Sequence, residues 1–347
     1  MTTHPIENLN ILSEEPILTP NALKQMYPLT PSTIRTVKQG QQTIKNILHR
    51  RDSRLLVITG PCSIHDVASA REYAARLRAL CDELCDKLYL VMRVYFEKPR
   101  TTTGWQGLVI DPFLDGSCVI EEGLKMSRAL LSHIAELGLP AAGEALDIVT
   151  PPFIQDLFSW TAIGARTTES QSHRKMASGL TATVGFKNGT DGNIDIALHA
   201  LQSVAAPHNF VSINPEGNVS VIRTSGNPNT HIILRGGKTP NFDAEHIARY
   251  EQKLRDAKIE PRIMIDCSHA NSNKQPENQA TVVENVIAQK RNGNQSIIGI
   301  MLESHLHAGS QPILRDPAEL KYGVSITDPC IDFETTERLL RKLHRTL

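Results

Sequence analysis

Eight short apolar runs in this chain each lead into a residue able to bind phosphate, carboxylate or a metal ion. They end in turn at Cys62, Arg93, Glu144, Arg166, Lys187, Arg235, His269 and Glu303, with only Glu144 less plainly suited to binding. Chemistry gathered at the carboxyl ends of consecutive strands is the pattern of a closed eight-stranded parallel barrel, whose loops meet ligands at that one face. Between the runs lie segments of helical period, such as residues 69–80 ahead of Cys81 and 121–134 ahead of Pro140, so strand and helix alternate throughout. The expected fold class is therefore α/β, a (β/α)8 TIM barrel. Its strands are predicted near 55–60, 88–95, 140–146, 161–166, 183–187, 230–235, 262–268 and 296–303.

Two segments fall outside this repeat. Residues 1–50 precede the first strand and form an expected N-terminal extension, serving oligomerisation or regulation; residues 51–347 form the catalytic barrel. Residues 209–224 read as two alternating strands around the turn Asn214–Asn218, an inserted β-hairpin. A chain of 347 residues, 40% of them hydrophobic, can bury one large core. Lys plus Arg and Asp plus Glu both number 37, so no global field recruits nucleic acid or anionic membrane. The first eight residues lack the pattern of a signal peptide, and no apolar run approaches the ~20 residues that span a bilayer. A cytoplasmic protein is expected. Six cysteines (Cys62, Cys81, Cys85, Cys118, Cys267, Cys330) lack the spacing of a zinc ribbon or a disulfide framework.

The barrel would converge Arg93, Arg166, Lys187 and Arg235 on one mouth. Any one of these alone is most simply a strand-end surface charge, but four cations on one rim repel and need an anion to justify them. Arginine suits bidentate carboxylate or phosphate, and lysine supplies a point charge. The loop from Glu97 to Gly104 adds Lys98, Arg100 and three threonines, with Pro99 stiffening it, and makes a second anion site. Two such sites imply two phosphorylated substrates and a condensation or transfer between them. Cys62, His269, Glu303 and Asp328 offer one thiol, one imidazole and two carboxylates, a set that suits one divalent Mn, Fe, Co or Zn ion better than Mg. Taken singly, each has an ordinary structural reading as a core residue or a cap. Cys267, two residues before His269, is the rival thiol on what reads as the same strand face.

At these residues the chain resembles the class I 3-deoxy-D-arabino-heptulosonate 7-phosphate (DAHP) synthases, which open the shikimate pathway. The matching stretches are GPCSIHD (60–66), RVYFEKPRT (93–101), IGARTTES (163–170), GFKNGTDG (185–192), LRGGK (234–238), DCSHAN (266–271) and SITDPC (325–330), and the resemblance covers nearly the whole chain. Gln106 stands where the family usually has Lys, and Thr161 and residues 182–184 also depart from its pattern. The resemblance implies that Arg93, Lys98, Arg166, Lys187 and Arg235 hold phosphoenolpyruvate. It likewise implies that Lys98, Pro99, Arg100, Thr101 and Asp328 hold erythrose 4-phosphate, and that the metal polarises the aldehyde. Cys62, Lys98, His269 and Asp328 are the expected catalytic residues, with Lys98 or His269 handling protons.

The resemblance further implies a homo-oligomer, dimer or tetramer, inhibited by an aromatic amino acid. The effector would bind away from the mouth, between the hairpin, neighbouring helix ends and a partner subunit's N-terminal segment. Its expected contacts are Pro151, Pro152, Gln155, Leu180, Thr181, Phe210, Ser212 and Val221. Residues 144–147, 157–160 and 321–325 look like the tyrosine-sensitive branch, whereas Ser212 looks like the phenylalanine-sensitive one; tyrosine is the expected effector, phenylalanine the alternative. Competing readings are a sibling synthase acting on arabinose 5-phosphate, usually shorter and without KPRT; a class I aldolase using Lys187 as Schiff-base nucleophile; and a noncatalytic sensor of phosphosugar or amino acid.

Overall fold

The computed structural model of the chain describes residues 9–347; residues 1–8, the start of the expected N-terminal extension, lie outside the described residues. In chain order the elements are α1 (Pro20–Met26), α2 (Pro31–Leu48), β1 (Leu55–Gly60), α3 (Val67–Leu84), β2 (Leu88–Arg93), α4 (Ile120–Glu136), β3 (Ala141–Glu144) and α5 (Pro151–Ile154). There follow β4 (Trp160–Ile163), α6 (Gln171–Ala177), β5 (Thr183–Lys187), α7 (Asp195–Val204), the pair β6 (His208–Ile213) and β7 (Val219–Thr224), and β8 (Thr230–Leu234). The chain closes with α8 (Ala244–Asp256), β9 (Ile263–Asp266), α9 (Gln279–Arg291), β10 (Ile297–Glu303) and α10 (Phe333–Thr346).

Eight parallel strands close a barrel in the order β1-β10-β9-β8-β5-β4-β3-β2. Each is covered on one side by helices and on the other by the barrel interior, which is why they read as unbroken apolar runs rather than alternating ones; all seven residues of β10 are buried. Several strands end two or three residues earlier than their apolar runs. After Arg93 the chain stays paired, Val94 N–H donating to Ala142 O at 2.8 Å, and runs on through the buried Val94, Tyr95 and Phe96 to Lys98 at the mouth. Local signals set the helix starts: Thr30 accepts from Thr33 N–H ahead of Pro31, and Asp66 accepts from the N–H groups of Ala68 and Ser69.

Leu56, Ile58, Val91, Ala142, Trp160, Ile233, Met264 and Met301 fill the barrel, and Ile44, Ile47 and Leu48 of α2 belong to the same cluster. Gly185 leaves room for this layer: a Cβ there would stand 2.6 Å from both Trp160 and Ile233. Behind α2, His49 Nε2 meets Asn229 Oδ1 at 3.1 Å and Arg262 Nη2 meets the His49 ring at 3.1 Å. Both partners immediately precede strands, so α2 caps the end of the barrel opposite the mouth. The stretch read as an extension thus shares the barrel's core.

The inserted hairpin is antiparallel, with His208 opposite Thr224 and Ile213 opposite Val219. Its turn is tied to α1, Asn21 N–H donating to Pro215 O and Asn21 Nδ2 to Glu216 Oε1, both at 2.9 Å.

Candidate functional site

At the carboxyl ends of the strands lies a cavity of about 420 Å³. Arg93, Lys98, Pro99, Arg100, Thr101, Arg166, Lys187, Arg235, His269, Glu303 and Asp328 all line it. Cys62 is buried just beneath, with Lys98 Nζ 2.7 Å from its Sγ. Every residue that the sequence assigned to substrate or metal is therefore at this mouth. The loop carrying Lys98 to Thr101 is closed on itself, Lys98 N–H donating to Gln106 O at 2.8 Å. Gly107 permits the closure: its φ is +115°, and a Cβ would meet Phe96 O at 2.1 Å. Gln106, the departure from the family's Lys, is exposed on the outer side of this loop in a separate cavity with Glu97 and Asp147.

Several cations already face a carboxylate. Arg93, 1% exposed, donates from Nη2 to Glu303 Oε1 at 2.9 Å and to Cys62 O at 3.0 Å, and from Nε to Pro61 O at 3.0 Å. Its Nη1 is buried without a partner among the described residues, an unsatisfied donor of the kind that a bound anion or water answers. Lys187 Nζ lies 3.0 Å from Asp266 Oδ2, and Lys98 Nζ lies 3.3 Å from Asp328 Oδ2. Arg166 donates to Thr101 Oγ1 at 3.2 Å, joining the two anion-binding loops. Arg235 engages only its backbone among the described residues, donating to Asn188 Oδ1 at 2.9 Å. Burial, reinforced by the Arg166 charge, lowers the affinity of its guanidinium for the proton, although Asp266 opposes this. A mouth with exposed surplus cations and an orphaned donor is built for oxyanions.

The metal candidates are also gathered. Donor atoms of Cys62, Glu303 and Asp328 lie within 4.8 Å of one another, a thiol and two carboxylates that fit a borderline divalent ion. His269 stands at the edge of this group, its Nε2 3.9 Å from Glu303 Oε1 and its Nδ1 3.1 Å from Asp266 Oδ2. Burial, helped by the Glu303 charge, pushes the Cys62 thiol up to about 11 against the pull of Lys98. Asp328 behaves oppositely: burial would raise it, but Lys98 and His269 hold it well below the usual carboxylate range. The rival thiol is elsewhere. Strand β9 ends at Asp266 and His269 adopts φ +54°, so the expected shared face is lost; Cys267 sits in the core between barrel and helices.

Among the residues at or beneath the mouth that sequence reasoning did not assign, three bear on its chemistry. Asp266 receives Lys187 Nζ, Ser268 Oγ at 2.6 Å and the His269 ring, and Lys187 and His269 outweigh burial to keep it well below the carboxylate range. Gln279, fully buried, holds the backbone of Glu303 with both ends of its amide at 2.9 and 3.0 Å. Lys274 lines the cavity with φ +59°. Asp266 closes an apolar run and was readable as a strand end; nothing in the sequence marks the other two.

A second cavity, about 480 Å³, lies between the hairpin, α5, α6 and the N-terminal helices. Pro151, Pro152, Gln155, Leu180, Thr181, Phe210 and Ser212 line it, together with Lys24, Ile34, Val37, Lys38 and Gln41 of the chain's own α1 and α2. Val221 does not. It pairs with Val211 on the opposite face of the hairpin, while Ile222, opposite Phe210, takes the inward position; alternation along a strand permits only one of the two neighbours to face the cavity. The stretch from Glu144 to Gln155 reaches both cavities, Glu144 and Leu146 lining the first and Ile148, Pro151 and Gln155 the second. Between them Thr150 Oγ1 donates to Glu97 Oε1 at 3.1 Å. Burial, with the Asp147 charge adding, pushes the Glu97 carboxyl up to about 7, the Thr150 bond opposing.

A sequence model of the family described as "DAHP synthetase I family" matches residues 29–341. A Tyr-sensitive phospho-2-dehydro-3-deoxyheptonate aldolase of Salmonella typhimurium is 51% identical over 347 residues, covering 100% of this chain and 98% of that protein. A Phe-sensitive one of Escherichia coli is also 51% identical, over 97% of this chain and 96% of that protein. The solved phospho-2-dehydro-3-deoxyheptonate aldolase of Francisella tularensis superposes with a TM-score of 0.95 at 45% identity, covering 97% of this chain and 98% of that one.

Proposed function

Because the chain belongs to the DAHP synthetase I family, we propose that it condenses phosphoenolpyruvate with erythrose 4-phosphate and water, giving DAHP and inorganic phosphate. It is an enzyme of the transferase class and a DAHP synthase. The observation that carries the reading in detail is the single cavity in which four strand-end cations, a cationic threonine loop and a thiol–carboxylate cluster converge.

Phosphoenolpyruvate would place its carboxylate and phosphate among Arg93, Lys98, Arg166, Lys187 and Arg235, filling the open donor of Arg93. Arg100 and Thr101 would take the phosphate of erythrose 4-phosphate, with Pro99 shaping the loop and Asp328 beside its hydroxyls. A divalent ion held by Cys62, His269, Glu303 and Asp328 would supply Lewis acidity to the aldehyde oxygen. Carbon 3 of phosphoenolpyruvate attacks the aldehyde carbon, water adds to carbon 2, and phosphate leaves with cleavage of the C–O bond. Lys98, held between Cys62 and Asp328, would pass a proton to the former aldehyde oxygen as it becomes the new hydroxyl, with His269 the alternative donor. Lys187 Nζ is already engaged by Asp266 Oδ2 at 3.0 Å, which favours an anion-binding role over that of the free nucleophile a Schiff-base aldolase needs.

The second cavity would take the feedback effector. Gln155, Thr181 and Ser212 offer partners for a phenol hydroxyl, and tyrosine is the proposed ligand. Ser212, which looks like the phenylalanine-sensitive branch, also favours a second reading, phenylalanine; identity to both branches is equal, and experiment decides between them. Val211, Val219 and Val221, 68%, 78% and 58% exposed on the hairpin's outer face, support assembly as a dimer or tetramer. Among the described residues no helix is long and apolar enough to cross a membrane, in keeping with the proposed cytoplasmic location.

The test is phosphate release with each substrate alone and both together, after chelation and after Mn(II) is restored. Release only with both substrates, lost on chelation and recovered with Mn(II), is expected; full activity after complete chelation refutes the metal role. Repeating the assay with tyrosine and with phenylalanine decides the effector, inhibition by phenylalanine alone refuting tyrosine.

A further inference from the structure

We propose that Lys274 is an additional substrate-binding residue: an outer cation beside Arg235 that meets the phosphate group of phosphoenolpyruvate on entry and inorganic phosphate on exit. The inference rests on the reading of the mouth given above. Three of the six residues from His269 to Lys274 have left-handed backbone without being glycine: His269 at φ +54°, Asn273 at +52° and Lys274 at +59°. Asn tolerates that region through its short polar side chain, whereas the lysine side chain makes no local hydrogen bond among the described residues and suffers the Cβ clash. Such outliers survive where the surroundings over-determine them, and they cluster at functional sites. Here the surroundings are explicit. Lys274 N–H donates to His269 O at 2.8 Å, Asn273 N–H to Ala270 O at 3.1 Å, and Asn278 Nδ2 to Ser272 O at 3.1 Å.

The loop is also fastened to the wall that carries Arg235. Asn271 Nδ2 donates to Leu234 O at 3.1 Å and to Asp266 O at 2.9 Å, and its Oδ1 accepts from Asn241 N–H at 2.9 Å. β9 and β8 are neighbours in the barrel, whereas Arg100 and Thr101 follow β2, three strands away from β9 in the closed order. Lys274 therefore shares a wall with Arg235 and not with the loop assigned to the second substrate. Its charge is available: the Lys274 ammonium has no ion-pair or hydrogen-bond partner among the described residues, whereas Arg93, Lys98 and Lys187 each face a carboxylate. An exposed, unpaired cation in a strained loop at the rim is placed to meet a phosphate dianion between solvent and the inner cations.

The experiment compares the Mn(II)-loaded full chain with Lys274→Met, Lys274→Arg and Lys274→Gly. In Lys274→Met the KM for phosphoenolpyruvate and the inhibition constant of inorganic phosphate should each rise on the order of tenfold, with kcat and the KM for erythrose 4-phosphate within about twofold. Lys274→Arg should restore most of the affinity. Lys274→Gly should lose affinity as the Met variant does while melting no lower than the parent, since glycine relieves the left-handed strain. Unchanged constants for phosphoenolpyruvate and phosphate in Lys274→Met, or a rise confined to erythrose 4-phosphate, would overturn the assignment. If the parent releases no phosphate, the proposed reaction fails, and calorimetry with inorganic phosphate judges Lys274 separately: weaker binding by Lys274→Met upholds it, equal binding overturns it.

Discussion

Replacing Glu97 by Gln should change how stability depends on pH. Glu97 is buried beside Asp147, and its carboxyl is pushed from an ordinary value of 4.5 up to about 7. Between those two values the folded chain holds a proton that the unfolded chain has released, so stability falls as pH rises. The contribution is fully present below about 4.5 and is lost as pH passes about 7. At ~1.36 kcal/mol per pH unit, the interval corresponds to about 3 kcal/mol. Gln keeps an oxygen for Thr150 and has no charge to bury; its amide nitrogen replaces the oxygen that accepts from Asp147 N–H at 3.5 Å, a loss that does not depend on pH. Urea unfolding of both proteins at pH 5, 6, 7 and 8 is the assay. The variant should gain on the parent by roughly 2–3 kcal/mol across that range, most of it before pH 7. Parallel profiles, with a gap constant to within about 0.5 kcal/mol, would show that Glu97 ionises normally and that its burial is offset by something other than a proton.

Arg128, fully buried, donates to Asp156, Phe153 O and Tyr27 O; Arg128→Met should cost about 3–5 kcal/mol in urea unfolding, because Asp156 and two carbonyls lose their donor. Ile222→Ala should weaken inhibition by the aromatic effector, whereas Val221→Ala, on the other face of the hairpin, should leave the inhibition curve in place. Asp266→Asn should lower metal affinity and kcat by about 10–100-fold, by freeing both Lys187 and the His269 ring; Mn(II) titration against a competing chelator gives the first and initial rates the second.

What the sequence revealed depended on the range over which each feature is determined. Arg93, Lys187 and Glu303 close strands, so a barrel topology alone brings them together, and the apolar runs before them announce that topology. Parallel strands buried on both faces make such runs easy to find. The pairings within the mouth were not legible: Arg93 with Glu303 and Lys98 with Asp328 join residues over 200 positions apart. Cys267 was expected to share a face with His269 because period-2 alternation was carried three residues past the end of β9, into a left-handed loop that no composition signal marks. Val221 was exchanged with Ile222 for a related reason. Both residues suit a cavity wall, and only the register against Phe210 chooses between them. The role of α2 was hidden as well, since an amphipathic helix ahead of the first strand looks the same whether it packs on a neighbour or plugs its own barrel.

That helix limits how the enzyme could be engineered for insensitivity to its effector. Ile44, Ile47 and Leu48 seal the barrel floor, while Ile34, Val37, Lys38 and Gln41, further up the same helix, wall the second cavity. Trimming the chain from its amino end far enough to dismantle that wall would also unplug the barrel. A desensitised catalyst is thus reachable by altering single side chains on the outer turns of α2, but not by shortening the chain beyond about Thr30.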